Sequence, residues 1–138
     1  MASQTWTALL IAAAALALTG PTLAAEPAYV GVWSKRMEHC STKPDKPGAP
    51  MVVTATGFDQ HDLHCSFEKI EPVPTAAGAS PAAPELSVLA NCEWKSNATK
   101  MEMTWSVSGE TLSITDKGGI TQLKKCVMPV PPPGTGKN

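Results

Sequence analysis

The sequence predicts an all-β protein: a small antiparallel β-barrel or sandwich of about seven strands, with two disulfides and a preceding signal peptide. In the carboxyl-terminal half, apolar and polar residues alternate with a period of two, which is typical of half-buried strands. Glycine or proline interrupts nearly every window that is long enough for a helix. Four cysteines follow an amino-terminal apolar run, a combination that is typical of small exported domains.

The amino terminus predicts a secretory signal peptide over residues 1–25. An apolar run of eleven residues, Ala8–Leu18, precedes the helix-breaking Thr19-Gly20-Pro21 and a stretch of small residues. The run is too short to span a bilayer comfortably, and no cysteine follows it to carry a lipid anchor. We therefore expect cleavage after Ala24 or Ala25, a periplasmic or secreted location, and no attachment of the mature chain to a membrane.

One disulfide-bonded β domain is expected over residues 26–127, followed by a Pro-rich flexible tail at 128–138. A chain of this size builds one core. Eleven basic and twelve acidic side chains leave a net charge of −1. Nucleic acid is therefore not expected as a partner, because a basic face supplies most of that affinity. Anionic membrane surfaces are disfavoured for the same reason.

The amino-terminal half is predicted to contain three strands. The first two, Tyr29–Trp33 and Met51–Thr56, lie on either side of Thr42–Pro50, whose three prolines and one glycine exclude regular structure. Gly57–Asp62 is predicted as a polar turn that leads into the third strand, Leu63–Ile70. Pro72–Pro84, with its small residues and prolines, is predicted as a flexible surface loop.

The carboxyl-terminal half is predicted as four consecutive antiparallel strands. These strands are Leu86–Trp94, Met101–Val107, Thr111–Thr115 and Ile120–Cys126. Lys95–Ala98 is predicted as the first turn, and Asp116–Gly119 as a tight hairpin in which glycine supplies positive φ angles. The alternation places a set of apolar side chains in the core: Leu86, Val88, Ala90, Cys92, Trp94, Met101, Met103, Trp105, Val107, Leu112 and Ile114. The tryptophans in particular are expected to be core anchors.

The four cysteines are predicted to form two disulfides, because the exported compartment is oxidising. Three pairings are formally open. Cys65 and Cys92 occupy inward positions on consecutive strands, which favours Cys65–Cys92 and leaves Cys40 with Cys126. Each bridge is expected to stabilise the fold by roughly 3 to 5 kcal/mol in the loop-entropy account.

The segment Gln60–Cys65 contains two histidines, an aspartate and a cysteine within six residues, so a metal site has to be considered. Neighbouring residues of a strand point to opposite faces, and so do residues three apart. His64 should therefore face away from both Cys65 and His61, and an oxidised sulfur is a poor ligand. We predict no metal site and no cofactor, and we keep a periplasmic metal-binding protein that uses His39, His61 and His64 as the alternative.

No catalytic residues are predicted, and the protein is not expected to be an enzyme. The sequence contains no Gly-x-Ser-x-Gly and no glycine-rich phosphate loop, and its carboxylates are scattered. The spacing Met101-x-Met103 resembles that of copper carriers, but both side chains are predicted to lie inward beside Trp105, so core packing explains them better. Asn97-Ala-Thr99 matches a glycosylation sequon, which matters only in a eukaryotic secretory pathway.

Gly31-Val32-Trp33 on the first predicted strand resembles the Gly-x-Trp start of lipocalin-like (calycin) barrels. The resemblance implies that Trp33 closes one end of a barrel and that a basic residue near the last strand, Lys124 or Lys125, packs over it by a cation–π contact. The order of signal peptide, Gly-x-Trp and four cysteines, with Trp94 shortly after the third, is similar to a group of small exported bacterial proteins of unknown function. That group supplies no activity.

Together these observations predict a non-enzymatic binding module or inhibitor, acting on an unknown protein or small-molecule ligand. Small bacterial barrels of this size include periplasmic inhibitors of proteases and of lysozyme, although their inhibitory motifs are absent here. The loops Lys43–Pro50 and Pro72–Pro84 are the expected binding surface. With large side chains competing for a small interior, we expect a filled core instead of a ligand cavity.

Overall fold

The computed structural model describes residues 24–75 and 83–127, together with Gly20 and Gly78. The predicted signal peptide therefore lies outside the described residues except for Gly20, Ala24 and Ala25, and the predicted tail at 128–138 lies outside them altogether. No helix within the described part of the chain is long and apolar enough to cross a membrane.

In the described part of the chain, eight antiparallel strands form a closed barrel, and each strand pairs with its neighbours in the sequence. The strands are β1 Gly31–Ser34, β2 Met51–Val53, β3 Gly57–Gln60, β4 Leu63–Pro72, β5 Glu85–Trp94, β6 Asn97–Ser108, β7 Thr111–Asp116 and β8 Gly119–Lys125. A short 3₁₀ helix, Met37–Ser41, follows β1. The first and last strands pair at Trp33 with Lys125 and at Ser34 with Lys124, which closes the barrel. The prediction of an all-β fold is confirmed, and of the two predicted architectures, barrel and sandwich, the structure shows the barrel.

The strand that sequence reasoning missed is β3. Gly57–Asp62 was expected to be a polar turn, but Gly57–Gln60 pairs with both β2 and β4. Phe58 is buried in the core, and a Cβ at Gly57 would collide with the carbonyl oxygen of Cys65. Glycine therefore allows two strands to approach closely at this position. The chain then reverses at His61–Asp62, where His61 adopts a positive φ of 50°.

The interior is filled by buried side chains that come from all eight strands. They are Trp33, Met51, Val53, Phe58, Cys65, Val88, Ala90, Cys92, Met103, Trp105, Leu112 and Leu123. Trp105 lies at the centre of an aromatic cluster, with ring centroids 5.5 Å from Phe58, 5.5 Å from Phe67 and 6.1 Å from Tyr29. Tilted and edge-on pairs at these separations add to the stability that burial provides.

Both predicted disulfides are present. Cys40 is bonded to Cys126 and Cys65 to Cys92, with no free cysteine in the described part of the chain. The second bridge joins residues that lie directly opposite each other on β4 and β5. The first ties the 3₁₀ helix after β1 to the residue that follows β8.

The longest strand, β6, has a neighbour on both sides along only part of its length. Asn97–Ser106 pairs with β5, whereas β7 pairs with Thr104–Ser108 alone. Within the described residues, Asn97–Met103 therefore has one unpaired side, which we call the free edge. The β5–β6 hairpin, whose turn is Lys95-Ser96, extends beyond the turn between β7 and β8.

Candidate functional site

Two neighbouring turns form the part of the barrel that we call the hairpin end: His61–Asp62 between β3 and β4, and Lys95–Ser96 between β5 and β6. Leu63 lies opposite Trp94 across the β4–β5 ladder, so the two turns lie side by side. An ion pair with 3.9 Å between Lys95 Nζ and Asp62 Oδ2 links them. The hairpin end therefore presents one continuous surface.

Trp94 lies on this surface with 54% of its area exposed, so its prediction as a core anchor is wrong. Its position in β5 does follow the inward alternation of Val88, Ala90 and Cys92. However, β7 pairs with β6 only as far as Thr104. At the level of Trp94 the β5–β6 hairpin therefore extends beyond β7, and β7 does not cover the Trp94 side chain. The ammonium group of Lys95 lies 5.3 Å from the centroid of its ring, a cation–π contact that covers part of it.

The turn that carries Trp94 is conformationally unusual. Lys95 has a φ of 46° and Ser96 a φ of 70°, which places two consecutive non-glycine residues in the left-handed region. Two-residue hairpins favour these angles, but asparagine and glycine adopt them at much lower cost. Strain of this kind is found preferentially at functional sites. The Cys65–Cys92 bridge lies two residues before Trp94, so the base of the hairpin is covalently fixed.

The outer face of the same region carries a row of polar side chains. Asp59 on β3 lies opposite His64 on β4, which lies opposite Glu93 on β5. His64 Nδ1 and Asp59 Oδ1 are 2.7 Å apart, and both side chains are exposed. Ser66 and Asn91 extend the row into an open groove of about 390 Å³.

An Asp–His pair of this geometry fixes the imidazole orientation, as it does in hydrolytic enzymes. The structure shows no hydrogen bond between Ser66 and His64, so these residues do not form a Ser-His-Asp relay. The pair is well explained as an exposed side-chain hydrogen bond, and such exposed polar pairs contribute little to stability.

The three histidines of the metal hypothesis each have different neighbours. The His61 Nε2 atom lies 3.4 Å from Asp62, and His64 contacts Asp59. The ring of His39 lies beside Gly48, with its Nδ1 atom 3.4 Å from the position that a Cβ on residue 48 would take. Across residues 24–75 and 83–127, no three His, Cys, Asp or Glu side chains are grouped so that they could hold a metal ion.

A second charged pair lies further along the outer face, where β4 contains a register irregularity between Phe67 and Lys69. Glu68 at this point forms an ion pair with Lys100 of β6, with 2.9 Å between the charged atoms. The hydrogen bond from Lys100 lowers the pKa of Glu68. This pair links β4 to β6 across β5.

Trp33 and Lys125 adopt the arrangement that the Gly-x-Trp resemblance implies. The Lys125 ammonium lies 5.6 Å from the centroid of the Trp33 ring, whereas Lys124 donates a hydrogen bond to Thr111. The Trp33 indole N–H donates to the carbonyl of Tyr29 at 2.9 Å. Gly31 has a φ of 148°, and a Cβ there would lie 3.1 Å from Lys125 Cε, so glycine leaves room for the lysine.

Of the two loops that were expected to form the binding surface, the first is exposed from Lys43 to Gly48. In Lys43–Pro50, Ala49 is buried, and its carbonyl accepts a hydrogen bond from Gln60. The end of this loop is therefore packed against the barrel. The centre of Pro72–Pro84, at residues 76–77 and 79–82, lies outside the described residues.

Comparisons with protein-family models, with curated proteins and with solved structures found no match to this chain. The likeness to lipocalin-like barrels and to small exported bacterial proteins therefore stays a prediction from the sequence.

Proposed function

We propose that the protein is a non-enzymatic binding protein, of the inhibitor type, whose hairpin end docks on a partner protein in the periplasm or outside the cell. The observation that carries this proposal is the exposure of Trp94 on a turn whose base is fixed by a disulfide. Tryptophan is the residue most enriched among those that dominate binding energy in protein interfaces. An exposed tryptophan at the tip of a rigid hairpin is well suited to fill a pocket on a partner.

The free energy gained by burying Trp94 in an interface follows from the area of the side chain that is exposed. A tryptophan side chain that is 54% exposed offers on the order of 130 Å² of further burial, which corresponds to about 3 kcal/mol. A loss of 3 kcal/mol weakens binding by roughly a hundredfold. The disulfide should raise the affinity further, because an element that is already held in its bound conformation loses little conformational entropy on binding.

A protein partner fits the geometry better than a small-molecule ligand. Large side chains fill the barrel interior, and the grooves next to the hairpin end are open surfaces. The rim around Trp94 carries both signs of charge, with Lys95 and Asp62 beside it. Such a rim is typical of the polar border of a protein interface.

We also propose that Trp33 and Lys125 close the barrel as they do in lipocalin-like proteins. Their cation–π contact and the glycine at position 31 support this. The proposal concerns the closure of the barrel and includes no internal ligand.

The test is a panel of exported proteases and lysozymes assayed with purified residues 26–138. Near-stoichiometric inhibition of one panel member is expected, and Trp94→Ala should weaken it by roughly a hundredfold. Val52→Ala is the matched control, because Val52 is also an exposed apolar residue, at 39%, and lies on β2 away from the hairpin end. Activity that stays flat across the whole panel, or a Trp94→Ala variant that inhibits as well as Val52→Ala, would contradict the proposal.

A further inference from the structure

The charged side chains of the barrel are unevenly distributed. The region around the seam where β1 and β8 pair comprises residues 34–46, 110–111 and 124–127, which contain six basic and three acidic residues. The other described residues contain four basic and nine acidic ones. The expectation that anionic surfaces are disfavoured rests on the net charge of the whole chain, −1. That sum hides a seam region with an excess of positive charge.

The basic residues of the seam are held together by the ladder and by the first disulfide. Lys124 lies opposite Ser34 across the β1–β8 ladder, and Lys35 and Arg36 follow Ser34 in the chain. The disulfide then fixes the 3₁₀ helix next to the residue that follows β8, with 5.6 Å between the two Cα atoms. Lys35, Arg36 and Lys124 are all exposed, so the seam presents a basic surface on a rigid base.

Most of this positive charge is not neutralised by neighbouring carboxylates. Arg36 lies 3.6 Å from Glu38, whereas Lys35 and Lys124 have no carboxylate within ion-pair distance in the described part of the chain. Away from the seam, by contrast, three of the four lysines are paired with a carboxylate: Lys69, Lys95 and Lys100. The charge of the seam is therefore free to attract an anionic partner.

Two exposed apolar side chains lie within the same basic surface. Met37, which is 52% exposed, begins the 3₁₀ helix, and Val127, which is 71% exposed, follows Cys126 of the disulfide. Apolar side chains among lysines and arginines are typical of surfaces that bind anionic membranes, because the apolar groups enter the headgroup boundary while the basic groups attract the lipid phosphates. A soluble polyanion would use the charges alone.

The hairpin end does not share this chemistry. Asp59 and Glu93 lie on either side of His64 in the ladders there, and Asp62 lies in the adjoining turn. An anionic membrane repels these carboxylates. The exposed Trp94 is therefore poorly placed to enter such a membrane, and the seam is the better candidate.

We propose that the protein binds anionic lipid membranes peripherally through a seam patch, which consists of Lys35, Arg36, Met37, Lys124 and Val127. The basic side chains contact the lipid phosphates, and Met37 and Val127 enter the apolar boundary. With so few charges and two apolar side chains, the binding is reversible and weakens as salt concentration rises. The proposal goes beyond the binding role of Trp94 and is independent of it, because the two sites lie on different strands.

The test measures co-sedimentation of residues 26–138 with phosphatidylcholine vesicles, with and without phosphatidylglycerol, at low salt. The protein should sediment with the vesicles that contain phosphatidylglycerol and stay in solution with phosphatidylcholine alone. Lys35→Glu should weaken the binding by about tenfold or more, because an attracted charge becomes a repelled one. Val127→Ser should weaken it by about fivefold to tenfold, because an apolar side chain is lost from the contact.

Each variant has a matched control on the β7–β8 hairpin. Lys117→Glu makes the same charge change at an exposed lysine that also has no carboxylate partner among the described residues. Ile120→Ser removes an apolar side chain that is likewise 71% exposed. Both controls should bind the vesicles within about twofold of the wild type, since distant charges are largely screened. Circular dichroism and thermal melting should show that every variant is folded.

Three results would overturn the proposal. The first is a wild-type protein that does not sediment with phosphatidylglycerol vesicles at low salt. The second is equal weakening by Lys35→Glu and Lys117→Glu, which would mean that net charge alone decides the binding. The third is a Val127→Ser variant that binds as tightly as the wild type; dextran sulfate bound with the same dependence on Lys35 would then identify a soluble polyanion as the ligand.

Discussion

Removing the Cys40–Cys126 bridge should lower the free energy of unfolding by an amount that depends on the length of the loop it closes. The bridge joins residues separated by 86 positions, whereas Cys65–Cys92 spans 27. In the loop-entropy account, these separations correspond to about 4.6 and about 3.5 kcal/mol of stabilisation. The two together, roughly 8 kcal/mol, are comparable to the whole stability of a domain of this size.

The variant Cys40→Ala/Cys126→Ala keeps the second bridge and is expected to lose about 4 to 5 kcal/mol. Its melting temperature should fall by roughly 20 °C or more. Urea unfolding followed by tryptophan fluorescence measures the loss, because Trp33 and Trp105 are buried and report on the core. The dependence of the unfolding free energy on urea should also steepen, because the unbridged unfolded chain exposes more surface.

The comparison variant is Cys65→Ala/Cys92→Ala. Both of these sulfurs lie in the core, so the loss should combine about 3.5 kcal/mol of loop entropy with about 1 kcal/mol of packing per residue. A loss below about 2 kcal/mol for the first variant, with no change in urea dependence, would contradict the loop-entropy account of this bridge. It would mean that the unfolded chain is already compact without the bridge.

Three further predictions concern single positions. Gly31→Ala should lower the free energy of unfolding by about 1 to 3 kcal/mol in urea, because alanine strains the backbone and its Cβ would lie 3.1 Å from Lys125 Cε. Ser96→Gly should raise it by about 0.5 to 1 kcal/mol, since glycine adopts a φ of 70° without penalty. Lys100→Gln should raise the pKa of Glu68 toward its ordinary value, as followed by an NMR titration. Because the folded-state pKa of Glu68 is lowered, its contribution to stability is present at neutral pH and is lost as the pH falls through that pKa.

Ser96→Gly has a matched control, and each of the three predictions has a result that would contradict it. Ser108→Gly makes the same change as Ser96→Gly at a strand residue without a positive φ, and should cost about 0.5 to 1 kcal/mol; equal effects at both positions would argue against strain in the turn. A fully stable Gly31→Ala variant would show that Lys125 and the backbone move aside freely. A Glu68 titration that is unchanged by Lys100→Gln would remove the lysine as the cause of the lowered pKa.

Strands and disulfide partners could be predicted from the sequence where a residue's position within its own strand decides whether its side chain points into the barrel. The alternation of β5 and β6 placed Val88, Ala90, Met103 and Trp105 inward correctly, because a period of two is a property of the backbone. The same reasoning identified Cys65 and Cys92 as partners. Local geometry was sufficient for these features.

The features that the sequence did not predict, the exposure of Trp94 and the strand β3, depend on which residues of other strands lie opposite or beside them. Alternation assigns Trp94 to the inner side of β5, but whether that side is covered depends on where β7 ends, which the sequence of β5 does not encode. The strand β3 carries a single large apolar residue, Phe58, between a glycine and polar residues, so it lacks a periodic signal. The hairpin end, which is the candidate site, therefore depends on contacts between strands that exist only in the folded barrel and that no single strand's sequence predicts.

The nested order of the two bridges has a consequence for how the chain acquires them. The first cysteine pairs with the last, and the second with the third. A chain that meets an oxidant from its amino terminus onward offers Cys40 and Cys65 to each other before either native partner has arrived. Reaching the final pattern from that mispaired intermediate requires thiol–disulfide exchange, in which the Cys92 thiolate attacks the sulfur of Cys65 and Cys40 leaves as the thiolate, free to be oxidised with Cys126. The yield of correctly oxidised protein should thus depend on the rate of this exchange as well as on the rate of oxidation, and a thiol isomerase should raise it.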